Sequence, residues 1–431
     1  MIYEEALSYI HSLLKFGIHP GLERMDTLLK ELGEPHKELK YVHVAGTNGK
    51  GSVSTAISAV LSEAGYKTGL YTSPYVTDFL ERIQYNGKPV EKNIFVNAVQ
   101  KVKSVVEKLH ENGIVITEFE ALTASAFLCF KELGCDLVVL EVGLGGRLDA
   151  TNVIDTPVVN VITSLSLDHT AILGDTLEKI AFEKCGTIKE NGTVVLSANQ
   201  YEEAYNTVKQ IALERNNTLI VPDISDVEVI SESVFGTNFS YKNQKYFVSM
   251  PGKHQIINMT SVIEASRILT EKGYNITIGN IKSGIKKTVL PARCEVISKE
   301  PLVILDGGHN EDGAKAFYNM ISCEISGNKR LFVIAGMLAD KDVENSLKPL
   351  IKMCKRFIAV TPKNPRAMES EELCSIARKY CEDVKNIPDV CDAIRYIKDE
   401  IADNDILCVV GSLYLAGEAR QTLFELFKNK D

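Results

Sequence analysis

The feature that most constrains this chain is the recurrence of short, continuous apolar runs separated by amphipathic stretches. From Tyr41 onward come "YVHVAG", "KTGLYTS", "DLVVLEVG", "PVVNVITS", "TVVLSA" and "TLIVPD". Strands apolar at almost every position need cover on both faces, which predicts an α/β fold with a mainly parallel sheet and crossover helices. The texture then changes. "VEVISESVFGTNFSYKNQKYFVSM", residues 227–250, alternates with period two and carries turn-forming Gly and Asn, predicting a small antiparallel unit. A helix is expected after the "PGKH" turn, with Ile256, Ile257, Met259, Val262, Ile263 and Ile268 on its buried side. Beyond "TVLPARCEV" the alternation restarts with "LVILDGG", "RLFVIAGM", "RFIAVTP" and "DILCVVGS". With 431 residues the chain exceeds one ordinary core. Two domains are expected, 1–292 and 293–431, with a linker near 289–298 containing Pro291 and a ligand cleft between them.

Charge narrows the partners. A formal net charge of -9 argues against a general nucleic-acid surface, so any polyanionic ligand has to find a local positive site. The opening "MIYEEALSYIHSLLKF" is acidic and spaced like an amphipathic helix, with Ile2, Leu7, Ile10 and Leu14 available to one face; it is not the pattern of a signal peptide. No apolar run approaches the ~18 residues of a bilayer span. Ten cysteines without a C-x-x-C pair read as reduced thiols of a cytoplasmic protein, with no metal at sulfur.

"YVHVAGTNGKGSVSTAISAVLSEAG", residues 41–65, nearly fits the phosphate-loop pattern and then departs from it. Val44 stands where the first Gly belongs, and Gly51 separates Lys50 from Ser52. A strand ending at Ala45, a Gly-rich loop and a helix starting near Ser52 would still aim backbone N–H groups and a helix dipole at an anion. Lys50 would meet the outer phosphates, and Ser52 or Thr47 a phosphate oxygen or a metal. The plainer alternative is a Gly-rich turn into a buried helix.

Three further strand ends carry ligand atoms. "DLVVLEVG" delivers Glu141 to the carboxyl edge, where open α/β sheets bind ligands and nucleotide hydrolases hold magnesium; alternatively Glu141 pairs with Arg147 in a tight turn. "VITSLSLDH" delivers Asp168 and His169, the histidine being either a metal ligand or structural. "LYTSP" delivers Ser73, as a ligand or as a cap before Pro74.

Together these stretches resemble the folylpolyglutamate synthase/dihydrofolate synthase family of the Mur ligase superfamily. The similarity is carried by "HVAGTNGKGS", "GLYTSPYVTDFLERI", "TEFEALTASAF", "VLEVGLGGRLDATNV", "ITSLSLDHTAILGDTLEKIAFEKCGTIK", "PGKHQIIN", "DGGHN", "GMLADKD" and "SLYLAGE". It implies a P-loop central domain and a smaller Rossmann-like C-terminal domain that closes over ATP and glutamate. ATP phosphates would lie on Gly49, Lys50, Gly51 and Ser52, with Asn258, Arg293, Asp306 and His309 also at the nucleotide. Ser73, Glu141 and His169 would ligate two Mg²⁺ ions. Lys184, which composition alone makes a solvated helix charge, would be carbamylated and join the second ion; that needs an uncharged amine. Lys50, Lys184, His169 and Glu141 form the implied catalytic set.

The resemblance puts the pterin on Thr117, Glu118, Phe119, Leu148, Asp149 and Ala150, near "GLERMD". Two departures stand out. Tyr75 replaces a common His, and "PARCE" replaces the frequent "PGRFE". The implied reaction is ATP-dependent addition of L-glutamate to a folate, and to dihydropteroate, through an acyl phosphate, by a monomer that uses neither nucleic acid nor membrane. The rivals are another Mur-type amino-acid ligase and a P-loop ATPase switch.

Overall fold

The computed structural model describes residues 1–17, 19–308, 311–325 and 329–427. An eight-stranded sheet is built from β1 (Tyr41–Ala45), β2 (Thr68–Tyr71), β3 (Ile83–Tyr85), β4 (Lys88–Pro89), β5 (Leu137–Glu141), β6 (Val159–Ile162), β7 (Thr193–Leu196) and β8 (Thr218–Ile220). Its order is β4-β3-β2-β5-β1-β6-β7-β8, parallel except where the β3 and β4 hairpin joins β2. The continuous apolar strands are the parallel ones, as burial on both faces requires. On one face Val42 and Val44 pack with Val53 and Ile57 of the helix Lys50–Glu63 and Met259 of the helix Lys253–Glu271. On the other, Tyr41 and Tyr71 pack with Phe127 of the helix Glu118–Glu132. Each such residue removed from water is worth about 1.5–3 kcal/mol.

The period-two segment forms a three-stranded antiparallel sheet, β9 (Val227–Ser233), β10 (Gly236–Tyr241) and β11 (Gln244–Val248). Buried Phe239 and Tyr241 join the core shared with the helix Lys253–Glu271. On that helix Ile256, Met259, Val262, Ile263 and Ile268 are buried and Ile257 is half-buried. A six-stranded sheet follows: β12 (Glu295–Lys299), β13 (Leu302–Asp306), β14 (Leu331–Ala335), β15 (Arg356–Ala359), β16 (Val384–Asn386) and β17 (Ile406–Val410). Its order is β12-β13-β17-β14-β15-β16, with only β12 antiparallel.

Some expectations need correction. The N-terminal helix, Tyr3–Ser12, turns Ala6 and Ile10 inward, and Leu13 after it, while Ile2 and Leu14 stay about 60% exposed at 61% and 60%. The chain tightens into a 3₁₀ turn at Leu13–Phe16, so the 3.6-residue period no longer places Leu14. The expected linker 289–298 is partly sheet, because β12 starts at Glu295. Within the turn before it, Ala292 and Cys294 adopt left-handed backbone conformations, with φ of 55° and 49°. Among the described residues no helix is long and apolar enough to cross a membrane.

Candidate functional site

β1 lies between β5 and β6, and the chain runs outward from it in both directions, making a topological switch point at its carboxyl end. The phosphate-loop residues fill that point. Gly49 is the N-cap of the helix Lys50–Glu63 with φ of 87° and no side chain to cap the first turn, leaving its N–H groups to an anion. A β-carbon on Gly49 would collide with the carboxamide oxygen of Asn258, so the helix Lys253–Glu271 presses Asn258 onto the loop. Asn258 is buried and donates to Gln255 Oε1 at 3.1 Å. Lys50 Nζ donates to the carbonyls of Gly46 at 3.1 Å and Thr47 at 3.2 Å. Ser52 is buried in the first turn. The Thr47 hydroxyl is already engaged, donating to Ser166 O at 3.2 Å and accepting from Ser166 N at 3.1 Å, so it ties two loops together.

A second amine meets the same carbonyl. Lys184 ends the helix Leu177–Lys184, is only 3% exposed, and donates from Nζ to Gly46 O at 2.8 Å. The "GLGGR" loop fixes this segment by close backbone approach: a β-carbon on Gly146 would lie 2.6 Å from the Lys184 carbonyl, and Arg147 N donates to Glu183 O at 2.7 Å. Arg147 forms its ion pair with Glu183 at 2.8 Å. This overturns the alternative of an Arg147–Glu141 pair: the loop turns the guanidinium toward the helix end, away from the sheet edge. Burial, and after it the charge of Lys50, pushes the Lys184 amine down to about 7.

Glu141, at the end of β5, lies beside Gly51 of the loop and within electrostatic reach of Lys50. It is 2% exposed and accepts from the Thr72 hydroxyl and from Ser73 N, the latter at 3.3 Å. Burial pushes its carboxyl above the usual range, while Lys50, the two hydrogen bonds and Arg293 oppose the rise. Ser73 and Glu141 are thus adjacent. His169 is not held in place by the fold: its backbone is left-handed at φ of 49°, its ring is exposed, and Nε2 lies 3.6 Å from Oδ2 of Asp168, whose carboxylate is within electrostatic reach of Lys184. Among the described residues no group of three or more His, Cys, Asp or Glu side chains is arranged to hold a metal. Asp306 ends β13, accepting from Cys294 N and Gly308 N, each at 2.8 Å. Arg293 is exposed beside them, and His309 lies outside the described residues.

The implied pterin residues form a second cluster. Thr117 caps the helix Glu118–Glu132, exchanging hydrogen bonds with Glu120. Glu118 pairs with Arg82 at 2.9 Å. Phe119 lies against Tyr71, centroids 5.9 Å apart, and under the Arg82 guanidinium at 5.7 Å. Asp149 is buried and accepts from Leu144 N at 2.9 Å and Thr151 N at 3.0 Å; Ala150 is buried beside it. Leu148 O accepts from Gly21 N at 3.5 Å, and Arg24 pairs with Glu120 at 2.9 Å, bringing "GLERMD" to this cluster. Sequence reasoning missed Thr72, Arg82 and the Gly46 carbonyl. Thr72 begins "TSPYVTDFLE" and Arg82 follows it, so both were open to notice; a backbone oxygen leaves no compositional trace.

The comparisons agree along the whole chain. Residues 44–266 match the Mur ligase middle domain and residues 292–413 the Mur ligase glutamate ligase domain. A dihydrofolate synthase/folylpolyglutamate synthase from Bacillus subtilis is 36% identical, over 98% of this chain and 99% of that protein. A folylpolyglutamate synthase from Lacticaseibacillus casei is 35% identical, over 98% and 99%. Among solved structures, folylpolyglutamate synthase from Thermotoga maritima superposes with a TM-score of 0.86 at 32% identity, covering 99% of this chain and 98% of that one. E. coli FolC in complex with DHPP and ADP gives 0.83 at 28% identity, covering 98% of both. An α/β architecture with a phosphate loop at its switch point, matched at this identity over nearly its full length, leaves one assignment: the chain belongs to the folylpolyglutamate synthase/dihydrofolate synthase family of the Mur ligases, which are ATP-dependent ligases.

Proposed function

We propose that this chain joins L-glutamate to a folate, and to dihydropteroate, with ATP as the energy source and an acyl phosphate between the two half-reactions. The observation that carries the reading is the convergence of Lys50 and Lys184 on one carbonyl of the phosphate loop, Gly46 O, with the buried Glu141 beside Gly51 of the same loop. The Lys50 amine and an uncapped helix N-terminus concentrate positive potential in an otherwise acidic chain. That potential lets a substrate carboxylate approach the γ-phosphate of ATP. Lys50 and the first-turn amides of Gly51 and Ser52 would hold the phosphates; Asn258, Arg293, Asp306 and His309 complete the proposed nucleotide set. The glutamate amine then attacks the acyl carbonyl and phosphate departs. Preorganised charge of this kind dominates phosphoryl transfer, and no side-chain nucleophile is required.

Glu141 and the Thr72 hydroxyl bonded to it offer hard oxygen donors, which suit Mg²⁺, and Ser73 adjoins them through its backbone N–H. Ser73, Glu141, His169 and carbamylated Lys184 are the proposed ligands. When bound, two such ions would supply Lewis-acid neutralisation of the charge on the transferred phosphoryl group. A Lys184 amine held near neutrality fits carbamylation, which consumes an unprotonated amine. Thr117, Glu118, Phe119, Leu148, Asp149 and Ala150 are the proposed pterin contacts. We assign the work to residues 1–292, carrying the phosphate loop and pterin cluster, and 293–431, closing over glutamate. We further propose a cytoplasmic monomer acting on small molecules alone; ten unpaired cysteines suit a reducing compartment.

The test incubates the purified protein with ATP, Mg²⁺ and L-glutamate, and compares dihydropteroate with tetrahydrofolate by product mass. A mass gain of one glutamyl residue on either supports the reading. Phosphate release with neither pterin consumed overturns it in favour of an ATPase switch.

A further inference from the structure

β16 is an edge strand of the C-terminal sheet, only three residues long, and hydrogen-bonds to β15. The register sets Phe357 opposite Val384, Ile358 opposite Lys385 and Ala359 opposite Asn386. Carried three residues toward the amino ends, it sets position 354 opposite position 381, and both are cysteines. The pairing does continue past the strands: Phe357 N donates to Asp383 O at 3.0 Å, and the Arg356 guanidinium pairs with Asp383 at 2.7 Å. The two sulfurs meet, with Cys354 Sγ 3.8 Å from Cys381 Sγ. Both residues are half-buried, so the pair is neither sealed in the core nor free in solvent.

Each backbone is pinned. Cys354 N donates to Leu350 O at 3.1 Å, at the end of the helix Val343–Met353, and Cys381 N donates to Ala377 O at 3.0 Å. Tyr380, next to Cys381, lies along that helix. Its ring centroid is 5.2 Å from the Lys348 ammonium and 5.8 Å from that of Lys352, and its hydroxyl donates to Glu344. A disulfide needs Cα atoms roughly 4.4–6.8 Å apart, and neighbouring strands run about 4.8 Å apart. The sulfurs have to close by about 1.8 Å to reach bonding distance, and each Sγ swings on its own Cα–Cβ bond without moving the backbone.

We infer that Cys354 and Cys381 form a reversible oxidation site: a peroxide joins them in a disulfide that staples the edge strand β16 to β15 and to the end of the helix Val343–Met353. Burial, and after it the neighbouring Cys381 sulfur, pushes the Cys354 thiol above its usual range, which makes it the poorer first nucleophile. Cys381 Sγ therefore attacks a peroxide oxygen. The O–O bond breaks, the thiol proton leaves with the departing hydroxide as water, and Cys381 becomes a sulfenic acid. Cys354 Sγ then attacks that sulfur, the S–O bond breaks, and the hydroxide takes the Cys354 proton to leave as a second water. Two thiols are oxidised and one peroxide is reduced. None of the proposed nucleotide or pterin residues takes part.

The full chain, fully reduced and then exposed to hydrogen peroxide, tests this. After quenching, free thiols are alkylated in denaturant and the protein is digested with trypsin. The expected product links peptide Met353–Lys355 to peptide Tyr380–Lys385, lighter than their sum by two hydrogens, and dithiothreitol separates them. Hydrogen–deuterium exchange is expected to slow across 384–386 in the oxidised protein, and the melting temperature to rise by several degrees, because the bond closes a loop across 27 positions. Cys381→Ser is expected to show neither the linkage nor the rise. Cys354→Ser is expected to halt at a Cys381 sulfenic acid that dimedone captures. The exposed Cys323 reports that the oxidant acted. Peroxide that modifies Cys323 yet leaves Cys354 and Cys381 free overturns the inference. So does linkage of either cysteine to another partner, such as the buried Cys374, or a linked protein whose β16 exchanges as fast as in the reduced form. If a serine variant does not fold, the linkage and exchange of the wild type still decide.

Discussion

Replacing Lys184 with methionine should make the protein more stable and inactive at once. The Lys184 amine is displaced from the usual 10.5 to about 7, burial being the larger cause and Lys50 the second. At about 1.4 kcal/mol per pH unit this amounts to roughly 5 kcal/mol of native-state destabilisation when the amine is protonated in both states. The sign follows from proton counts. Below about pH 7 both states carry the proton and the full penalty is present. Between about 7 and 10.5 only the unfolded chain binds it, so wild-type stability rises with pH, and above 10.5 the penalty is gone. Methionine fills similar volume without a charge. It forfeits one hydrogen bond, worth about 1 kcal/mol, but the Gly46 carbonyl keeps Lys50 as donor. Lys184→Met is therefore expected to gain about 3 kcal/mol at pH 6, with most of the gain vanishing by pH 10. Urea titrations in bicarbonate-free buffer can be followed by far-UV circular dichroism, since the chain contains no tryptophan. A variant no more stable than wild type at pH 6, or a difference that does not shrink as pH rises, refutes the argument.

Gly49→Ala should weaken nucleotide binding at least tenfold, because the methyl meets Asn258 and φ is 87°; isothermal titration with ADP measures it. Ala292→Gly should shift the melting temperature by no more than about 1 °C, since the ~1 kcal/mol of backbone strain relieved at φ of 55° is nearly offset by about 0.8 kcal/mol of lost methyl burial; a fall of several degrees would count against the strain. Lys184→Ala should abolish glutamate addition, and added short carboxylic acids should restore a measurable fraction of it; unchanged turnover of the variant without them would remove the carbamate from the proposal.

The fold was legible wherever burial acts on every residue of an element. β1, β5, β6, β13, β14 and β17 are uniformly buried and read directly as apolar runs. The elements missed are short or lie at sheet edges. β3 and β4 are "IQY" and "KP", β16 is "VKN", and β12 pairs with one neighbour only, so each has too little apolar pattern to stand out from a loop. The slipped face of the N-terminal helix has the same origin. Periodicity fixes a face only while the helix keeps its pitch, and the 3₁₀ turn at Leu13–Phe16 ends that.

The site divides along a different line. Gly49, Lys50 and Glu141 were legible locally, since a loop following a strand and an acid ending one have their direction set by the strand itself. Lys184 was not. Its helix "LEKIAFEK" holds three other charged residues, and nothing within it says which cation is buried. That is decided from outside by the backbone of Gly146 against its carbonyl and by Gly46 taking its amine. Only a resemblance could supply it from sequence. His169 was no more legible. Among the described residues its exposed ring has only the adjacent Asp168 carboxylate beside it, at 3.6 Å, so no strand or helix among them fixes its direction. Lys50 and Lys184 are fixed, because one backbone carbonyl, Gly46 O, takes both amines, and the fold rather than the local sequence decides which side chains that carbonyl reaches.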